Sequence, residues 1–181
     1  MKKIDFKNLF VLDLANNHQG SVEHGLKIIR ECGKVARKHN IRAVMKFQLR
    51  QYDTFIHPDH VENSDNKHIP RFISTQLTRE KWQRLFDAVK NEGMLTMCTP
   101  FDNESVPIIS DMNFDFIKVA SCSAKDWPLL EEIAKASKPV IASTGGLTLD
   151  DIDNMVSFFS HRGVQLALMH CVSIYPIPTE D

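Results

Sequence analysis

The sequence predicts an α/β protein of (β/α)8 TIM-barrel type, represented by about six strands and five helices. Three observations predict it. Strand-like and helix-like segments alternate along the 181 residues with mostly short returns, the pattern of parallel strands joined by right-handed crossovers. Two strand-like runs, Val44–Gln48 and Phe116–Ser121, each carry a lysine inside an apolar stretch. Small and polar residues gather at strand carboxyl ends: Asn16, Asn17 and His18, then Gln48, Thr99 and Asp102, then Ser121, Ser143, Thr144 and Ser173. A (β/α)8 barrel places its chemistry there on every strand, whereas an open doubly wound sheet does so only around its switch point.

In chain order, Phe10–Ala15 is the first strand. Ser21 then offers an N-cap to a helix whose apolar stripe is Val22, Leu26, Ile29, Cys32 and Ala36. Ala43–Phe47 is the second strand. A long polar segment from about Leu49 to Gln76 follows, and a connection of that length is expected to be mobile or to cover a site. Thr78 caps a helix that buries Trp82, Leu85, Phe86 and Val89 and stops at Gly93, before the third strand, Met94–Thr99. A short helix from about Ser105 to Met112 leads to the fourth strand, Phe116–Ala120, and its helix, Trp127–Ala136. Pro139–Ser143 is the fifth strand. Thr148 and Asp151 resemble a capping box for a helix with Ile152, Met155, Val156 and Phe159 inward, and Gln165–Cys171 is the sixth strand.

Composition narrows the function. At 43% hydrophobic residues the chain can bury a good core. A formal charge of −1 argues against nucleic acid or an anionic membrane as partner. No apolar run has membrane-spanning length, and Met1–Asp5 turns polar too soon for a signal peptide, so a cytoplasmic location is expected. The four cysteines show no paired metal spacing and read as buried free thiols. His57 and His60 lack the Cys or carboxylate support of a zinc site, and His170 reads as a hydrogen-bonded core histidine.

The lysines carry the chemical argument. An ammonium buried without a partner is so unfavourable that it needs an anion, a polar cavity or a task. Lys46 and Gln48 share one strand face because side chains alternate, and Lys118 sits at the matching place two strands on. Two converging lysines point to a doubly charged ligand such as a phosphate. Ser143-Thr144-Gly145, just ahead of a helix, offers backbone N–H groups as an anion cradle. The plainer alternatives are a Lys118 that snorkels to solvent, an Asp13 that serves as a structural ion-pair partner, and a His18 that satisfies turn backbone.

Six segments in order resemble the N-acetylneuraminate (sialic acid) synthase family, with its pseudaminic and legionaminic acid relatives. They are Asn16–Ser21, Lys46–Gln48, Thr99–Asp102, Ile117–Ser121, Ala142–Gly145 and His170–Pro176. The resemblance implies an eight-stranded barrel followed by a small antifreeze-like domain. Residues 1–181 would then be an incomplete barrel, strands one to six, expected to be inactive and prone to self-association alone. It implies condensation of phosphoenolpyruvate with an N-acylated amino sugar such as N-acetylmannosamine, with release of phosphate. A divalent cation, Mn2+ or Mg2+, would be bound beyond residue 181 with no ligand in this chain, and a homodimer is possible. Asp13, Lys46 and Lys118 would be catalytic, while Gln48, Ser121, Ser143, Ser173, Tyr175, Asn17 and His18 would contact substrate. Asp13 stands where the family usually has a glutamate, and Ser123 where many members carry an acidic sugar contact. The rival readings are a non-catalytic sugar- or phosphate-binding barrel and, more distantly, an aldolase with a Schiff-base lysine.

Overall fold

The structure, a computed structural model, describes residues 4–61, 65–66 and 68–174. Six parallel strands lie side by side in chain order: β1 (Leu9–Asp13), β2 (Arg42–Leu49), β3 (Leu95–Pro100), β4 (Phe116–Val119), β5 (Val140–Ser143) and β6 (Leu166–Met169). Helices run between them: α1 (Val22–Lys38), α2 (Tyr52–Phe55), α3 (His68–Ser74), α4 (Arg79–Asn91), α5 (Ser105–Asp111), α6 (Trp127–Lys135) and α7 (Leu149–His161). The sheet curls into a half-barrel. Among the described residues no helix is long and apolar enough to cross a membrane.

Side-chain alternation divides each strand between two environments. On the convex face Met45, Phe47, Cys98, Ile117, Val119, Val140 and Ala142 pack against the helices in the main core. On the concave face Val44, Met97, Phe116 and Ile141 form a second apolar cluster, joined by Leu9 and Val11. Two residues further along those same strands the concave face becomes polar, at Asp13, Lys46, Thr99, Lys118 and Ser143. The concave face is thus an apolar floor below a polar rim.

Local chemistry sets the helix starts. Ser21 Oγ accepts the His24 N–H at 3.2 Å and Thr78 Oγ1 the Lys81 N–H at 3.4 Å. At α7 the Thr148 hydroxyl oxygen accepts the Asp151 N–H, while the Asp151 carboxylate accepts the Thr148 N–H at 3.0 Å, a reciprocal cap.

Four expectations are corrected. The helix number is seven among the described residues, because the 49–76 segment is not one open loop: α2 and α3 form within it, separated by a 3-10 turn at Pro58–His60. The first strand ends at Asp13, since Ala15 takes a φ of +40° and the N–H groups of Leu14 and Ala15 both turn to the Lys46 carbonyl. Of the four free cysteines only Cys98 is buried, while Cys122 is exposed. His170 is exposed at the end of β6 rather than in the core.

The turn after β1 has a packing role that its polar sequence conceals. His18 is fully buried, its ring 5.2 Å from Trp82 of α4 in an edge-on contact. Its Nδ1 accepts the Gly20 N–H at 3.1 Å. Burial, with a smaller effect from His24, pulls its pKa down to about 4, so the ring is neutral near pH 7. Gly20 has a φ of +75°, and a Cβ there would lie 2.5 Å from the Ser74 carbonyl oxygen at the end of α3. Gly20→Ala combines left-handed strain with a clash against backbone. It is expected to destabilise the protein by at least about 1–2 kcal/mol, read as a lower urea midpoint at unchanged slope.

Candidate functional site

The polar rim encloses a cavity of about 650 Å3, bordered by Asp13, Lys46, Gln48, Thr99, Phe101, Lys118, Ser121, Cys122, Ser143 and Ser173. Strand register explains the convergence. Asp13 pairs with Lys46 across β1 and β2, Gln48 with Thr99 across β2 and β3, and Lys118 with Ile141 across β4 and β5. Lys46 and Lys118 therefore face one space from separate strands.

The two amines are held differently. Lys46 Nζ lies 3.0 Å from Asp13 Oδ2, with the lysine side chain 13% exposed and the aspartate 54%. Lys118 is buried, and its Nζ donates to the Val119 carbonyl and to Ser143 Oγ, each at 2.6 Å. Both acceptors are neutral, so among the described residues no carboxylate pairs with it and one of its three N–H donors is left over. Burial first, then repulsion from Lys46, lowers the Lys118 pKa to about 8.

On the far wall Ser121, Gly145 and Ser173 close on one another. A Cβ on Gly145 would lie 2.5 Å from Ser173 Oγ and 3.0 Å from Ser121 Oγ, so only glycine fits between the hydroxyls. The backbone cradle expected at 143–145 is already spent in part. The Thr144 N–H donates to the Met169 carbonyl and the Gly145 N–H to Ser121 Oγ, both at 3.1 Å. Ser121 Oγ, acting as acceptor, keeps its own proton free to donate. The groups left to meet an anion are side-chain amines, hydroxyls and an amide.

Seven residues singled out in the sequence thus meet at one cavity: Asp13, Lys46, Lys118, Gln48, Ser121, Ser143 and Ser173. Three do not. His18 is a core residue, as described above. Asn17 is exposed, donates from Nδ2 to the Asp13 carbonyl at 3.2 Å, and borders a shallow cleft shared with Arg71, Ser74 and Thr75. Tyr175 lies outside the described residues. Ser123, expected beside the sugar, is buried and does not border the cavity.

Thr99 and Phe101 were legible as strand-end residues of a family-like segment and were given no site role, yet both border the cavity, and the buried Thr99 hydroxyl has no partner among the described residues. The signal was parity: Thr99 lies opposite Gln48 and shares its face. Among the described residues no group of three or more His, Cys, Asp or Glu side chains could hold a metal ion. The amines, hydroxyls and amide that border the cavity suit an anion.

Known proteins share this sequence pattern and fold. A family model described as the NeuB family matches residues 34–181. A pseudaminic acid synthase of Campylobacter jejuni is 29% identical over 186 aligned positions, covering 98% of this chain and 53% of its own. The crystal structure of a candidate spore coat polysaccharide biosynthesis protein E from Chromobacterium violaceum superposes with a TM-score of 0.93 at 46% identity, over 96% of this chain and 52% of that one. An N-acetylneuraminic acid (sialic acid) synthetase structure from Leptospira borgpetersenii shares the fold, with a TM-score of 0.81 at 22% identity over 96% of this chain and 56% of the other. The chain spans about half the length of the curated relatives it matches. By the family match, which takes in most of its residues, this chain belongs to the NeuB family.

Proposed function

We propose that the chain forms the phosphoenolpyruvate-binding part of a nonulosonic (sialic) acid synthase, which condenses phosphoenolpyruvate with an N-acylated amino sugar and releases phosphate. The observation that carries this reading is the convergence of Lys46 and Lys118 on one cavity, with Lys118 lacking a carboxylate partner among the described residues. A buried ammonium held only by neutral oxygens is poised to gain strongly from an anion.

In the proposed reaction, carbon three of phosphoenolpyruvate forms a bond to the sugar aldehyde carbon, whose oxygen takes up a proton. Water adds to carbon two and loses a proton, and the tetrahedral intermediate expels phosphate to leave a 2-keto acid. Lys118 and Lys46 hold the phosphate and carboxylate charge and stabilise the departing phosphate. Ser121, Ser143 and Ser173 add hydroxyl donors, and Asp13 is the carboxylate available to orient or deprotonate the water. A manganese or magnesium ion for the aldehyde would draw its ligands from outside the described residues, and the choice of amino sugar, N-acetylmannosamine among them, belongs to those regions too. Dimerisation belongs to the same proposal.

Calorimetry with phosphoenolpyruvate tests the site on this chain. Binding competed by inorganic phosphate is expected, and absence of binding would sink the reading. The reaction is tested by phosphate release with manganese and a panel of N-acylated amino sugars, from a polypeptide of the family's full length. Binding there without turnover would favour the non-catalytic barrel. Lys118→Met keeps the length of the side chain but removes its charge, and is expected to weaken phosphoenolpyruvate binding about 100-fold.

The pH dependence follows from the lowered Lys118 pKa. Below about pH 8 the amine is protonated and pairs with the anion, and above it the neutral amine cannot. The dissociation constant is therefore expected to be flat between about pH 7, where the phosphate is fully ionised, and about pH 8, and to rise toward about tenfold per pH unit above it. In the empty protein the folded Lys118 gives up its proton before the unfolded one. Stability should accordingly rise as the pH climbs from about 8 towards the normal lysine value of 10.5. Asp13→Asn removes the carboxylate that competes for Lys46. It should tighten phosphoenolpyruvate binding about two- to fivefold while slowing phosphate release, so the two measurements move in opposite directions.

A further inference from the structure

Arg50, immediately beyond β2, is 8% exposed and, among the described residues, has no carboxylate ion-pair partner. Its guanidinium carbon sits 3.8 Å from the ring centre of Phe101, 4.4 Å from that of Phe72 and 5.8 Å from that of Phe55. Nη2 donates to Gln48 Oε1 at 3.1 Å, and the buried Nε has no protein partner. Ring faces offset part of the cost of burying this cation. A methionine or leucine would fill an aromatic cage with less desolvation, so packing alone does not account for an arginine.

What an arginine adds is a rigid fork of donors. Guanidinium has no acceptor, so the Gln48 atom that faces it must be the carbonyl oxygen. The Gln48 NH2 is then left for the cavity that Gln48 borders. We propose that Arg50 is a positioning residue that fixes Gln48 as a hydrogen-bond donor toward an acceptor-only group, a phosphate or carboxylate oxygen, bound in the cavity. This rests on the anion reading given above and deepens it by assigning the polarity of one wall.

The same contacts tie that polarity to the segment between β2 and α4. Phe55 belongs to α2 and Phe72 to α3, their rings 6.0 Å apart. These helices have little other anchorage: α2 buries no side chain and α3 buries only Ile69. The Gln51 N–H donates to Asp102 Oδ2 at 2.8 Å, which fastens the start of the segment beside Phe101. The excursion thus forms two walls of the cage that holds Arg50 against Gln48.

A double-mutant cycle read by phosphoenolpyruvate calorimetry tests the proposal, with thermal unfolding to confirm that each variant is folded. Arg50→Lys keeps the charge but loses the planar fork, and Arg50→Met loses both. Both are expected to raise the dissociation constant about tenfold, as is Gln48→Ala, with Arg50→Met/Gln48→Ala no weaker than Gln48→Ala alone. Wild-type affinity in a folded Arg50→Lys protein, or additive losses in the double variant, would overturn it in favour of a simple field effect of the charge. If the wild-type chain binds no phosphoenolpyruvate, the synthase reading falls, and the Arg50 contact is judged by NMR of the empty protein. The Arg50 Nη2 proton resonance is expected to move upfield in Gln48→Ala; an unchanged resonance would refute the hydrogen bond and with it the proposal.

Discussion

Two ammonium groups facing one concave, largely dry surface repel each other, and each has lost much of its hydration. The rim solves this unequally. Asp13 neutralises Lys46 across adjacent strands, whereas Lys118 is met only by a backbone carbonyl and the Ser143 hydroxyl. The empty cavity therefore keeps about one uncancelled positive charge at its centre, on a group that burial has already made easier to deprotonate. A dianion bound there, as proposed, would relieve the repulsion and the desolvation together.

The floor makes that charge effective. Val44, Met97, Phe116 and Ile141 lie beneath the rim and are almost completely buried, so water does not screen the amines from below. The opposite faces of these strands pack into the helical layer, which leaves the strands little freedom to shift. Gly145 completes the wall by having no side chain, so that two hydroxyls can close on its α-carbon.

Much of this was legible in the sequence because alternation with period two is a local rule. Lysines two residues beyond apolar positions in β2 and β4, and serines at the ends of β4 and β5, could be assigned to one face without coordinates. Three things could not. The Arg50 cage joins residues 50, 55, 72 and 101, and nothing local announces that three phenylalanines that far apart will surround one guanidinium. Thr99 required the register between β2 and β3, which depends on packing across the whole sheet. His18 read as a loop residue because its burial follows from positive φ values at Ala15, Gln19 and Gly20, which curl the turn under itself. α2 and α3 escaped notice for a related reason: they are short and held by contacts to other parts of the chain.

The floor and the rim also share a backbone count. In β2, for example, Val44 and Lys46 are two residues apart on the concave side while Met45 and Phe47 face the helices. Inserting or deleting one residue within that strand would exchange the sides, driving an ammonium into the hydrocarbon layer and a phenylalanine into the cavity. A change of one residue within that strand would therefore cost the core and the cavity at once, a constraint that does not act on the connections between strands.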